Sequence, residues 1–370
     1  MIKVIADQNL YRLKEFLPED VELIIFDPNE GLPDISGFDA LLLRTVSKLN
    51  SRTLPEIPSS LTFVGTGSSG SDHVDKEYLK RNDIKFVDAL GNNARAVAEY
   101  IMTSLLIWRE KKQKNLHDYT YGIVGVGKAG SAVAEIFQTF GLRTVLYDPP
   151  RAKKDPDFKS SSLEDVLKCD VLTFHTPLNK EGNYPTYHWL DKKKLSGKFY
   201  ELIINAARGG IIDEKVVSDA IESGNVKNTI IDVWENEPDF NCNFAKQAFI
   251  ATPHIAGFSE QSKLIASKMI CSKLCAFFKL NCPPTNDFFT YKELKFVTLD
   301  HSFLQFMLSI NPILEYDAAL RDLALLPDKG NQFRTLRTDR PFRYEYGFLK
   351  LEKEFLNGFD DLKKLGVKTI

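Results

Sequence analysis

Scanned for apolar and polar positions, the chain resolves into short apolar runs separated by segments of helical spacing. The first runs fall at residues 2–6, 21–26, 40–43, 61–64 and 84–87, with a helical pattern over 9–17. Such alternation predicts a parallel sheet covered on both faces. Residues 92–112 read as one long helix. Ala96, Val97, Tyr100, Ile101, Leu105 and Trp108 form its apolar stripe, and Met102, Leu106 and Ile107 widen it beyond one face. A helix buried on several sides packs against several neighbours, which suits an inter-domain linker or a dimer interface. A second series of runs follows at 121–124, 145–148, 171–174, 202–205, 229–233 and 249–251, with helical stretches at 162–168 and 215–223 between them. A helix over 269–278 then returns toward the first domain. Past Cys282-Pro283-Pro284 the texture changes. Helical patterns cover 303–309 and 314–325, Arg334, Arg337, Arg340 and Arg343 fall within ten residues, and 342–351 partly alternates as a half-buried strand does. The fold class is α/β, with two doubly wound parallel-sheet domains and an α+β C-terminal domain.

The second series opens on a more specific signal. Tyr121-Gly122-Ile123-Val124 leads into Gly125-Val126-Gly127-Lys128-Ala129-Gly130, an apolar helix follows, and Thr144-Val145-Leu146-Tyr147 ends at Asp148. Strand, G-x-G-x-x-G, helix, strand and acidic residue together mark a dinucleotide site. Gly125, Gly127 and Gly130 serve a tight turn, close backbone approach to a pyrophosphate, and helix–strand packing. Lys128 and Ala129 open the helix, whose N-terminal N–H groups face the phosphates. Asp148, 18 residues past Gly130, stands where a carboxylate accepts hydrogen bonds from the adenosine ribose. The same charge repels a 2′-phosphate, so NAD is expected over NADP.

Composition narrows the class without changing it. With 43% hydrophobic and 26% charged residues, the chain is ordinary for a globular protein of two or three domains. A net charge of −2 gives no electrostatic case for nucleic acid or an anionic membrane. No apolar stretch is long enough to span a bilayer, and the first residues read as a strand, so a cytoplasmic location is expected. The five cysteines are odd in number and form no C-x-x-C, so buried thiols are expected, with neither a disulfide framework nor a metal site.

Four stretches lie at or just past the carboxyl ends of the second series of strands. They are Phe174-His175-Thr176-Pro177-Leu178, Asn205-Ala206-Ala207-Arg208-Gly209-Gly210, Asp232-Val233-Trp234-Glu235-Asn236-Glu237-Pro238 and Thr252-Pro253-His254-Ile255-Ala256-Gly257. In order and spacing over about 280 residues, these motifs resemble the D-isomer-specific 2-hydroxyacid dehydrogenase family, and oxidising a 2-hydroxy acid requires a carboxylate anchor, a base for the hydroxyl proton and a hydride acceptor. Arg208 offers a rigid fork of donors, His254 offers an imidazole for acid/base work, and Glu237, 17 residues earlier, can fix its tautomer.

That resemblance implies catalytic roles for Arg208, Glu237 and His254. It implies cofactor contacts at Asp148, Thr176, Asp232 and Gly257, and substrate contacts at Thr45, Thr66 and Phe258. It further implies a flavodoxin-like substrate domain (1–93 and 257–284), an NAD-binding Rossmann domain (94–256) and a C-terminal dimerisation domain (285–370), hence a homodimer. Closer matches at residues 43–48, 63–66, 71–75, 104–106, 116–118, 148–152 and 172–178, with the extra C-terminal domain, point to a branch acting on a phosphorylated 2-hydroxy acid. Arg44 and Lys48 are candidate cations for its phosphate, and a C-terminal arginine is another. Two departures stand out: that branch usually carries tyrosine at Phe258 and cysteine at Ala207. The same chemistry on another acid, such as 3-phosphoglycerate, is the near alternative. An NAD-sensing binding protein is the alternative from a different class, and turnover separates them.

Overall fold

The computed structural model describes residues 1–284, 288–294, 303–323, 326, 328–338 and 341–370. They form two compact units, Met1–Asn93 with Ser259–Thr290, and Ala94–Phe258 with Tyr291–Ile370.

In the first unit β1 (Ile2–Asp7), β2 (Val21–Phe26), β3 (Ala40–Leu43), β4 (Phe63–Thr66) and β5 (Lys85–Asp88) make one parallel sheet in the order β2-β1-β3-β4-β5. Every residue of β3 and β4 is buried, as expected of central strands covered on both faces. Side chains alternate between the faces: Val4, Ala6, Leu42 and Phe63 join Leu264, Ile270 and Leu274 of helix Glu260–Phe278. Ile5, Leu41, Leu43 and Val64 face the opposite cluster with Leu49 and Leu79.

Two helices and one pair of cysteines differ from what the sequence predicts. The helix expected over 9–17 is only a 3-10 turn, Leu13–Phe16. Asp7 Oδ1 accepts the Asn9 backbone N–H at 2.8 Å and the Asn9 side chain at 3.0 Å, so local side-chain bonding competes with helix formation. The helix expected over 269–278 starts at Glu260, because Ser259 and Ser262 form a reciprocal capping box. The same helix ends at Lys279 in the left-handed region (φ 56°). There the chain turns back, and Cys275 and Cys282 are joined in a disulfide with Cα atoms 6.0 Å apart. The expectation of buried thiols fails for that pair and holds for Cys169 and Cys271, whereas Cys242 is free but only half-buried.

In the second unit β6 (Thr120–Val124), β7 (Arg143–Tyr147), β8 (Val171–Phe174), β9 (Leu202–Asn205), β10 (Thr229–Ile231) and β11 (Ile250–Ala251) form a parallel sheet ordered β11-β10-β9-β8-β6-β7. Helix Ala94–Lys112 is buried at every position from Ala96 to Trp108. One side packs with Val133, Ile136 and Phe137 of helix Lys128–Thr139, and the same core takes in Phe306, Met307, Tyr346 and Leu349 from the C-terminal stretch. The breadth of its apolar surface is therefore met inside its own unit.

The described C-terminal elements include helices Phe303–Ile310, Ile313–Leu323 and Lys329–Leu336. A small parallel sheet joins Lys292–Glu293, Leu349–Leu351 and Lys368–Thr369. The strand expected over 342–351 shrinks to its last three residues, after a 3-10 turn at Tyr346–Phe348. Residues 324 and 325, expected as helix, and Arg340 lie outside the described residues. Among the described residues no helix is long and apolar enough to cross a membrane.

Candidate active site

The glycine turn after β6 is built as its sequence requires. Gly125 has φ +87°, and a Cβ there would lie 2.8 Å from the Thr176 backbone N. At Gly130 a Cβ would collide with the Gly125 carbonyl oxygen, whereas at Gly127 it would meet nothing within 4 Å. So the first and third glycines are internal necessities, and the second faces open space. Gly127 caps helix Lys128–Thr139 without any side-chain hydrogen bond, which leaves the first-turn N–H groups at Lys128, Ala129 and Gly130 to an outside acceptor.

At the neighbouring strand ends, Thr176 Oγ1 and His175 Nδ1 are buried and lack hydrogen-bond partners among the described residues. His175 Nε2 contacts Thr173 Oγ1 at 2.9 Å, and burial pushes its pKa down to about 3, so the ring is neutral at working pH. Open space at the second glycine, uncapped helix N–H groups and two orphaned polar atoms fit a bound dinucleotide.

Asp148 follows β7 and caps the short helix Pro149–Lys154. Its Oδ2 accepts Val126 N at 2.8 Å and its Oδ1 accepts Arg151 N at 2.9 Å. Arg151, matched at 148–152 but given no role by the sequence, donates to the Val126 carbonyl at 2.7 Å and to Ser131 Oγ at 3.1 Å, and stacks 4.3 Å over Phe158. Asp148 and Arg151 thus clamp the glycine turn from outside. The Arg-three-after-Asp spacing was visible, but its target was not.

Arg208 stands on a turn past β9 that Asn205 shapes by donating to the Arg208 carbonyl (3.0 Å) and accepting Ala207 N (3.2 Å). Gly209 packs so closely on the Trp234 carbonyl that any Cβ would clash, so the Arg208 turn lies against the chain leading to Glu237. His254 Nδ1 and Glu237 Oε2 are 2.8 Å apart, and Glu237 Oε1 accepts Trp234 N at 2.8 Å. Burial alone would raise the Glu237 carboxyl. His254, the Trp234 N–H and the Arg337 guanidinium outweigh it and hold the group below its ordinary range. With Glu237 ionised, Nδ1 carries the proton and Nε2 is the nitrogen that can accept one.

His254 has φ 58°, a conformation that costs a β-carbon-bearing residue about 1–2 kcal/mol. Asp232 holds it there. Its backbone carbonyl accepts His254 N (2.7 Å), and its buried carboxylate accepts Ile255 N (2.8 Å), Ala256 N (2.9 Å) and the Thr252 hydroxyl (2.6 Å). Burial drives the Asp232 carboxyl up, against those bonds and His254. Gly257 and Phe258 complete the turn, both half-buried.

The expected substrate residues Arg44, Thr45 and Thr66 belong to the other compact unit. Register pairs Leu43 with Thr66, so the three share the carboxyl ends of adjacent strands. Thr66 Oγ1 meets His73 Nε2 at 3.0 Å, Arg44 reaches the Asn9 carbonyl at 3.1 Å, and Thr45 is exposed.

Comparison with known proteins agrees with this architecture. Residues 90–256 match the family model "D-isomer specific 2-hydroxyacid dehydrogenase, NAD binding domain". The erythronate-4-phosphate dehydrogenase of Bacteroides thetaiotaomicron is 35% identical, over 93% of this chain and 97% of that protein. The enzyme of the same name from Photorhabdus laumondii is 34% identical over 100% and 99%. Among solved structures, the D-lactate dehydrogenase of Aquifex aeolicus, complexed with NAD and lactic acid, shares the fold. It has a TM-score of 0.62 at 24% identity, over 75% of this chain and 95% of that one. The protein therefore belongs to the D-isomer specific 2-hydroxyacid dehydrogenase family, in its erythronate-4-phosphate dehydrogenase branch.

Proposed function

We propose that the protein oxidises 4-phospho-D-erythronate at its 2-hydroxyl to 2-oxo-3-hydroxy-4-phosphobutanoate, a step toward pyridoxal 5′-phosphate. The observation that carries this reading is the 2.8 Å His254–Glu237 pair at the carboxyl end of the sheet that also bears the glycine turn. Arg208 holds the substrate carboxylate and polarises the forming carbonyl. The hydroxyl proton passes to His254 Nε2 as the C2 hydrogen leaves with its electron pair. Glu237 stabilises the resulting imidazolium through Nδ1 and keeps the ring in one tautomer. NAD, when bound, supplies the hydride acceptor. Its pyrophosphate is assigned to the N–H groups of residues 127–130, its ribose to Asp148, and its further contacts to Thr176, Asp232 and Gly257.

On this reading Arg44, Thr45, Thr66 and Phe258 meet the substrate, and the protein works as a cytoplasmic homodimer. Initial rates with NAD on 4-phosphoerythronate, 3-phosphoglycerate and D-lactate test the substrate, with a 2-oxo acid present to re-oxidise NADH. The reading expects strong preference for the first. Preference for another acid would keep the mechanism and reject the substrate. Sedimentation equilibrium tests the dimer.

A further inference from the structure

The arginines of the C-terminal stretch have different surroundings. Arg334 is exposed. Arg343, its side chain 7% exposed, is spent on Glu99 and the Ala96 carbonyl. Arg337 differs from both. Its Nε is shut off from solvent with no hydrogen-bond partner among the described residues, and its guanidinium lies over the Phe258 ring, 5.1 Å from the centroid. Burial disfavours its charge, while the Glu237 and Asp232 carboxylates act through space to keep it. With Ile255, Phe258 and Phe342 it lines a cavity of ≈ 20 Å³, room for about one water, so a larger anion enters only if the Phe258 or Phe342 ring shifts.

A desolvated cation with an idle donor is costly unless an anion completes it. Phe258, directly after Gly257 and four residues past His254, has no side-chain donor of its own, and Arg337 brings one to this turn. We propose that Arg337 is a specificity-determining residue that receives the phosphate of the substrate, the second anion of an acid whose carboxylate meets Arg208. This rests on the function proposed above. The planar fork of a guanidinium matches phosphate oxygens in pairs, and the ring beneath it holds the plane in place.

The test compares 4-phosphoerythronate with erythronate in wild type, Arg337→Met, Arg337→Lys and the exposed control Arg334→Met. NADH binding by fluorescence and far-UV circular dichroism verify folding. Losing charge-assisted bonds should raise KM for the phosphorylated acid ~30-fold in Arg337→Met. Its rates on erythronate should stay within about threefold, and Arg337→Lys should lose less, with the same selectivity. Inorganic phosphate should inhibit wild type and Arg334→Met competitively, and Arg337→Met at least tenfold more weakly.

Equal losses on both acids, or a displaced pH profile with unchanged discrimination, would overturn the proposal and make Arg337 a support for Glu237. No change in any arm would overturn it too. If Arg337→Met does not fold, Arg337→Lys decides: loss confined to the phosphorylated acid supports the proposal, and equal loss rejects it. Should wild type prefer an unphosphorylated acid, the substrate reading fails by itself. Phosphate inhibition against that acid still reports on Arg337.

Discussion

Two carboxylates of the same compact unit, one buried and one half-buried, meet arginines from the C-terminal stretch, and they are treated in opposite ways. At the first, Glu99 is wholly buried on helix Ala94–Lys112 and takes Arg95 Nε (2.9 Å), Arg343 Nη1 (2.9 Å) and the Tyr346 N–H (3.1 Å). Thr103 adds a 2.9 Å bond to the Tyr346 hydroxyl. Each of these partners is committed, and the result is a fastening between the C-terminal stretch and the long helix. At the second, Glu237 is bonded to His254 and Trp234 N, while Arg337 acts on it only through space and keeps Nε idle. One junction spends its polar capacity on holding the fold together. The other keeps a nitrogen on His254 and a nitrogen on Arg337 in reserve, as a site that must bind something does.

The comparison breaks most visibly at the second carboxylate. Glu237→Gln should leave the fold intact and lower kcat by ~10³-fold, because the amide neither stabilises imidazolium nor enforces one tautomer. Stopped-flow NADH formation together with a melting curve checks both halves. At the first carboxylate the pattern reverses: Glu99→Ala leaves Arg343 unpaired inside the protein and should cost about 3–5 kcal/mol of stability. Urea unfolding measures it, and activity per folded molecule should hold.

A smaller effect involves Glu214, 5% exposed, whose carboxyl burial raises to about 7 while the Glu235 N–H opposes the rise. Its folded pKa lies above the unfolded one, so the folded form binds more protons between the two. Stability from this group is fully present below about pH 4.5 and is lost as pH rises through about 7, by ~3–4 kcal/mol in all. Glu214→Gln should flatten that slope in melts taken across this window. The smallest effect sharpens the contrast between the arginines. Arg337→Met should change stability by less than ~1 kcal/mol, in either direction, whereas Arg343→Met should cost several times more.

Much of this was legible in the sequence, for identifiable reasons. Strands such as Ala40–Leu43 and Val171–Phe174 are buried on both faces, so they appear as unbroken apolar runs with sharp limits. Gly125 and Gly130 answer to backbone geometry that no other residue satisfies, which makes the turn readable without a partner. His254 and Glu237 were legible as a pair because the motif fixes each at a strand end. Partner choice at long range was not. Nothing near Arg343 in sequence points to Glu99, 244 positions away, and nothing separates it from Arg337. The disulfide joining Cys275 to Cys282 depends on a left-handed residue at Lys279, a conformation the local sequence does not announce. The missed start at Glu260 came from a serine in the reciprocal capping position, where glutamate is the usual signal.

The central claim is that His254 takes the hydroxyl proton at the end of the NAD-binding sheet. The most direct measurement is single-turnover NADH formation from 4-phosphoerythronate by wild type and His254→Ala, with NADH affinity measured alongside. A drop of ~10³-fold or more in the rate, with NADH affinity kept within about threefold, is the predicted result. A variant that keeps a tenth or more of the wild-type rate would contradict it and remove His254 from the chemistry.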